Sequence, residues 1–291
     1  MSTPQQPVTE ALRDWIVAQA SAGCRPDDVL AAMRASGWEE GVAIDALEKT
    51  LLDHLAAQGA AQPLPAPCGL LPVTAMPGLA LHGAAARVQV GGRDVQVLTT
   101  LVLPNLVVFG QLLSDDECSG LMALAAPRLA RSETVDNATG GTEVHAARTS
   151  EGMFFERGEA PLIAHIEQRI AELLHWPVDH GEGLQVLRYR PGAEYRPHHD
   201  YFDPVHAGTE RILQRGGQRV ASLVMYLNTA EGGGATTFPD VGLAVWPVRG
   251  NAVFFSYDRP HPDTRTLHGG APVTAGEKWV ATKWLRQGVF T

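Results

Sequence analysis

His198 and Asp200 stand two residues apart in the segment YRPHHD, and His268 follows in TLHGG. In an extended strand alternate side chains share a face, so His198 and Asp200 can reach one metal ion. Two imidazoles and one carboxylate occupy one face of a metal and leave the opposite positions open. That donor set is associated with non-haem Fe(II) centres that admit a chelating co-substrate and O2, although it does not forbid Mn, Co or Ni. Lys278 begins the apolar segment KWVATKW. A cation in such a strand needs an anionic partner, because an unpaired buried charge is costly. The partner is either a carboxylate of the protein or a dicarboxylate co-substrate. Other candidates fall outside this pattern. His199 points to the opposite face, His206 and His261 lie in polar loops, His145 reads as a surface residue, and Asp203 is off the alternation.

These residues need a rigid frame. The segments LQVLRY (184–189), VASLVMYL (220–227), AVFFSY (252–257) and KWVATKW (278–284) are apolar and β-rich, with Gly and Pro turns between them. Upstream, residues 160–175 form an amphipathic helix with Ile163, Ile166, Ile170 and Leu173 on one face. Ser114, followed by Asp115, Asp116 and Glu117, is an N-cap with acids in the first turn of another helix. The expected fold class is α+β: a double-stranded β-helix (jelly-roll) core with supporting helices, plus a small N-terminal helical bundle. Residues 1–56 read as that three-helix module, residues 57–80 as a Pro- and Ala-rich linker, and residues 81–291 as the main domain. The stretch from 131 to 152 reads as a long polar connection. Together with 202–218 it is long enough to act as a lid.

The chain has 291 residues and a net charge of −9. That balance argues against nucleic acid as the main partner. No apolar run reaches the ~18 residues needed to span a membrane. Cys24, Cys68 and Cys118 are scattered and form no CxxC pair, which excludes a disulfide framework and a cysteine zinc site. The first residues show no basic, then apolar, leader. The expected setting is cytoplasmic.

Residues 100–291 resemble the catalytic domain of prolyl 4-hydroxylases, within the Fe(II)/2-oxoglutarate dioxygenase superfamily. The resemblance is carried by LQVLRYRPGAEYRPHHD, RVASLVMYLN followed by GGGATTFP, AVWPVRGNAVFF, and TLHGGAPVTAGEKWVATKW, with LLSDDEC and AARTSEG upstream. It implies a bacterial-type, cytoplasmic enzyme in which His198, Asp200 and His268 bind iron. Lys278 would pair with the distal carboxylate of 2-oxoglutarate, Tyr189 would hydrogen-bond to it, and Thr236 would line the same pocket. Arg219 and Trp284 match positions near the peptide groove, and Arg148, Thr149 and Ser150 border a loop that closes over substrate. Tyr189 and Trp284 also suit core aromatics, and Arg219 suits a strand-end ion pair. The implied reaction couples decarboxylation of 2-oxoglutarate, giving succinate and CO2, to hydroxylation of an unactivated C–H bond, with ascorbate as reductant. The implied partner is a peptide or protein containing proline. A free amino acid or other small molecule is the alternative substrate, and a non-enzymatic jelly-roll binding module or a cupin-like protein of another metal is the alternative class. The first helices faintly resemble a ubiquitin-associated module and would recruit a protein partner. Neither nucleic acid nor membrane is expected as a partner.

Overall fold

The structure is a computed structural model that describes residues 8–21, 26–61, 76–78, 86–131, 134–135, 142–143, 149–206 and 208–291. The chain divides into two compact units, Met1–Leu70 and Leu71–Thr291.

The first unit holds helices α1 (Glu10–Ser21), α2 (Pro26–Ala35) and α3 (Glu40–Ala61). Pro26 stands at the first position of α2, where its fixed φ suits a helix and its missing N–H costs nothing. One residue or more from each helix enters a shared buried cluster: Ile16, Val29, Met33, Ala43, Ala46 and Leu47. Helix α3 runs to Ala61, so the expected linker does not begin at residue 57. The sequence AAQGAA carries too much alanine, the strongest helix former, to break the helix there. Most of the remaining linker lies outside the described residues.

The second unit is mostly antiparallel sheet with helices. Its strands are β1 (Arg87–Val90), β2 (Arg93–Leu101), β3 (Asn105–Gly110), β4 (Ala130–Arg131), β5 (Thr134–Val135), β6 (Thr142–Glu143), β7 (Glu151–Phe155), β8 (Leu184–Tyr189) and β9 (Tyr195–His198). They continue with β10 (Arg219–Tyr226), β11 (Gly232–Gly233), β12 (Thr236–Phe238), β13 (Leu243–Val245), β14 (Ala252–Ser256), β15 (His268–Gly270), β16 (Val273–Ala275) and β17 (Lys278–Arg286). The helices are α4 (Asp115–Ala125), α5 (Pro161–Leu174) and the short α6 (Thr209–Leu213). A nine-stranded sheet has the order β1-β2-β3-β14-β10-β17-β8-β7-β4, and a four-stranded sheet has the order β13-β12-β15-β9.

Strand alternation divides the large sheet into two faces. On β10, Ala221, Leu223 and Met225 join Cys118 and Leu121 of α4 and Ile163, Ile166 and Ile170 of α5 in one buried cluster. Tyr226 of β10, Tyr189 of β8 and Val280 of β17 join a second cluster, with Phe238 and Val245 of the smaller sheet. The helices thus cover one face of the large sheet, and the four-stranded sheet packs on the other. Ser114 caps α4 in a capping box: its hydroxyl accepts from the Glu117 N–H at 3.0 Å, and its own N–H donates to the Glu117 carboxylate at 2.8 Å. The 131–152 connection lies largely outside the described residues; within it, β5 pairs with β6.

Candidate metal centre

His198 is the last residue of β9 and His268 the first of β15, and the two are direct partners in the antiparallel register. Their rings lie 4.4 Å apart. Asp200 is not on the strand: β9 ends at His198, and the chain bends into a loop that turns the carboxylate back beside the imidazoles. Simple alternation along a strand therefore gives the right pair for an incomplete reason. Asp200 Oδ1 lies 3.4 Å from His198 Nε2, and Oδ2 lies 3.6 Å from His268 Nε2. One ligand atom from each of the three residues falls within 4.8 Å of the others, the one such metal-capable group among the described residues.

Local contacts prepare these atoms to coordinate. His198 Nδ1 lies 3.0 Å from the Arg196 carbonyl, and His268 Nδ1 lies 3.0 Å from the Thr266 carbonyl. A carbonyl only accepts, so each Nδ1 carries the proton and each Nε2 presents a lone pair. Burial pushes the His268 imidazole down to about 4, so it is neutral near pH 7. Burial opposes ionisation of Asp200, but His268, His198 and Arg219 outweigh it and hold the carboxyl well below its usual range. Two imidazoles and one carboxylate in reach of one point suit a divalent iron ion, with oxygen and nitrogen donors and no thiolate.

Ser222, Tyr257 and Arg219 surround Asp200, and nothing in the sequence assigns a role to the first two. Ser222 Oγ donates to Asp200 Oδ2 at 2.6 Å and lies 3.0 Å from Tyr257 Oη. Arg219 Nη1 points at the Asp200 backbone carbonyl, 3.4 Å away. Arg219 and Ser222 are three residues apart and would normally occupy opposite faces of β10. A bulge between Arg219 and Ala221 shifts the register and brings both to Asp200.

The pocket that contains the triad is also lined by Tyr189, Thr236, Lys278 and Trp284. Lys278, Val280, Thr282 and Trp284 alternate along β17 and all reach it. Lys278 pairs with Tyr189 across β17 and β8, and its Nζ lies 5.4 Å from the Tyr189 ring and 5.8 Å from the Tyr226 ring. Lys278 is 4 % exposed. Among the described residues no carboxylate pairs with it, and burial alone pushes its ammonium down to about 8. Of the two partners expected for Lys278, the protein carboxylate is not found among the described residues. Thr236 accepts a hydrogen bond from the Tyr226 hydroxyl at 2.8 Å, a contact invisible in the sequence.

The residues expected to face substrate separate. Trp284 lines the pocket, and its buried indole Nε1 has no hydrogen-bond partner. Arg219 is not among the residues that line this pocket. Its guanidinium is held by Glu182 at 2.6 and 2.8 Å and stacks between Phe202 and Trp284. Two carboxylate oxygens within reach and a second arginine, Arg286, beside the same Glu182 make the ion pair the better site for that charge. Thr149 bonds to the backbone of Glu194, and Ser150 is buried. Arg148 and His145 lie outside the described residues. His199 turns away from the triad and stacks on Tyr201, with ring centres 4.7 Å apart. Tyr195, unremarked in the sequence, stacks on His198 at 3.8 Å and lines the pocket.

Residues 184–286 match the family model of the 2OG-Fe(II) oxygenase superfamily. The chain is similar to "Probable prolyl 4-hydroxylase 3" of Arabidopsis thaliana, 40% identical over 208 residues, covering 64% of this chain and 71% of that protein. It is 44% identical over 202 residues to "Prolyl 4-hydroxylase 1" of the same plant, covering 63% and 69% of the two chains. Among solved structures it is similar to a viral collagen prolyl hydroxylase from Paramecium bursaria Chlorella virus-1, with a TM-score of 0.48, 30% identity and coverage of 62% and 94%. Both of these relatives are plant proteins and lend no support to a specifically bacterial type. Taken with the His198–Asp200–His268 cluster, the similarity to the two plant proteins and the family-model match show that the chain belongs to the prolyl 4-hydroxylase family of 2OG-Fe(II) oxygenases.

Proposed function

We propose that the chain hydroxylates prolyl residues, at the 4 position, in a peptide or protein, using Fe(II), 2-oxoglutarate and O2. One observation carries the reading: the paired imidazoles and carboxylate share a pocket with a buried lysine that lacks an anion. His198 Nε2, His268 Nε2 and an oxygen of Asp200 would hold the iron, which supplies the O2-activating redox chemistry of the reaction.

The remaining residues bind and orient. The Lys278 ammonium takes the distal carboxylate of 2-oxoglutarate, with the Tyr189 hydroxyl as a second donor and Thr236 in the pocket wall. Val280 and Leu187 give the same pocket apolar lining, which limits water around the reacting carbon. Trp284 offers its unpartnered indole N–H to a peptide carbonyl. Arg148, Thr149 and Ser150 border a substrate-closing segment. The overall balance consumes 2-oxoglutarate, O2 and one C–H bond, and forms succinate, CO2 and one C–OH.

The two packed sheets are read as a double-stranded β-helix. Ascorbate serves to keep the metal ferrous, and the scattered cysteines suit a cytoplasmic setting. No helix among the described residues is long and apolar enough to cross a membrane. The first three helices form a separate module that suits a protein partner.

The test measures succinate released from 2-oxoglutarate by the purified chain with Fe(II) and ascorbate, with and without proline-containing peptides. Peptide-stimulated succinate supports the reading. Stimulation by free proline alone moves the substrate to a small molecule.

A further inference from the structure

Asp200 must offer the metal one oxygen while its other oxygen is kept occupied. A carboxylate that swings to chelate through both oxygens takes a second coordination position. Of six positions, two imidazoles and a chelating carboxylate would leave two, and a chelating co-substrate would fill both. No position would remain for O2.

The interior around Asp200 supplies a device against this. Ser222 is 0% exposed, Tyr257 2% and Asp200 6%, so no bulk water competes for these groups. A carboxylate oxygen offered to a metal only accepts hydrogen bonds. Ser222 therefore spends its single proton on Asp200 Oδ2, at 2.6 Å. The 3.0 Å contact between Ser222 and Tyr257 must then run the other way, with Tyr257 donating to the Ser222 oxygen. The chain of donors is Tyr257 to Ser222 to Asp200. Each link has one geometry, because the hydroxyls are packed between paired strands. Ser222 lies opposite Phe255 of β14 and Trp284 of β17, and the Tyr257 N–H bonds to the Val220 carbonyl at 2.9 Å.

We propose that Ser222 and Tyr257 are positioning residues that hold Asp200 as a single-oxygen ligand and so keep one metal position free. The proposal rests on His198, Asp200 and His268 being the metal site. Hydrogen-bonded partners of metal ligands commonly contribute about 10- to 100-fold to metal affinity.

The test is titration of the purified, metal-free full chain with Co(II), followed by its visible absorption spectrum, beside turnover. Wild type, Ser222→Ala, Ser222→Thr, Tyr257→Phe and His198→Ala are compared, with circular dichroism to confirm folding. Ser222→Ala is expected to weaken Co(II) binding about 10- to 100-fold and to change the spectrum, as the carboxylate alters its mode. Tyr257→Phe should act in the same direction more weakly, and Ser222→Thr, which keeps the hydroxyl, should restore affinity and spectrum. Wild-type affinity and spectrum in both Ser222→Ala and Tyr257→Phe would overturn the proposal. If Ser222→Ala does not fold, Tyr257→Phe decides alone, because it leaves the direct partner of Asp200 in place. Equal Co(II) binding by wild type and His198→Ala would instead overturn the metal site itself, and the positioning role with it.

Discussion

His198 and His268 are direct cross-strand partners, so the metal site is made by the pairing of β9 with β15. That pairing depends on close approach. A side-chain carbon on Gly269 would lie 2.8 Å from the Tyr195 carbonyl oxygen and 3.1 Å from the Pro197 nitrogen, both backbone atoms that cannot step aside. Gly269→Ala should push the two strands apart and separate the imidazoles. A misplacement of about 1 Å at a reacting centre costs on the order of 100-fold in rate. The expected outcome is a loss of that order in 2-oxoglutarate turnover, with weaker Co(II) binding. Wild-type turnover in Gly269→Ala would show that the strand spacing does not set the site.

Lys278 gives a pH signature. In the proposed reading a dicarboxylate pairs with its ammonium, and in the ligand-free protein burial brings that group down to about 8. Affinity for 2-oxoglutarate should therefore fall as pH rises above about 8, by up to tenfold per unit. Lys278→Met should lose this limb and bind 2-oxoglutarate about 10- to 100-fold more weakly at pH 7, the scale of a charged hydrogen bond, while Co(II) affinity stays the same. Isothermal titration across pH measures both. A limb that persists in Lys278→Met would assign it to another group.

The same group affects stability with a definite sign. Below about 8 Lys278 is protonated in both folded and unfolded chains, and its burial cost is present in full. Between about 8 and the ordinary lysine value of 10.5 the unfolded chain keeps a proton that the folded chain has released. In that window Lys278 alone makes the ligand-free protein more stable as pH rises. The difference in unfolding free energy between wild type and Lys278→Met should therefore shift toward wild type over this range. A difference that does not change with pH would contradict the burial of an unpaired ammonium.

Glu182 links two buried arginines, Arg219 at 2.6 Å and Arg286 at 3.2 Å. The arginines and burial act in opposite directions on Glu182, and the arginines hold its carboxyl below the usual range. Glu182→Gln leaves two buried cations without an anion and should cost about 3–5 kcal/mol. The exposed Arg87–Asp94 pair provides the contrast: Asp94→Asn should cost about 0–1 kcal/mol. Urea unfolding of the two variants checks both values. Equal losses would mean that the buried pair contributes no more than a surface one.

The sequence made the centre legible where the chemistry is written in unusual residue types. His198, Asp200 and His268 stand out by spacing, and Lys278 stands out because a cation in KWVATKW demands a partner. The strands were readable from apolar runs, and the start of α4 from Ser114 and Glu117. Ser222 and Tyr257 were not readable, because in RVASLVMYL and AVFFSY they look like ordinary strand residues. Their roles come from contacts across 22 and 35 residues of sequence. The bulge at Val220 defeats alternation, so the direction of Arg219 could not follow from counting. A strand-end arginine reads alike whether it meets a substrate or Glu182, and only the fold brings Glu182 within 2.6 Å. Asp200 reads in the sequence as part of a continuous strand, and the loop that places it carries no signal of its own.

The central claim is oxygen transfer from O2 to a prolyl residue, governed by the His198–Asp200–His268 site. The direct measurement supplies isotopically labelled O2 to the Fe(II)-loaded protein with 2-oxoglutarate and a proline-containing peptide, then fragments the peptide by mass spectrometry. The expected result is one labelled oxygen on the proline ring and one in succinate, both abolished in His198→Ala. Unlabelled peptide and succinate, or equal labelling in His198→Ala, would contradict it.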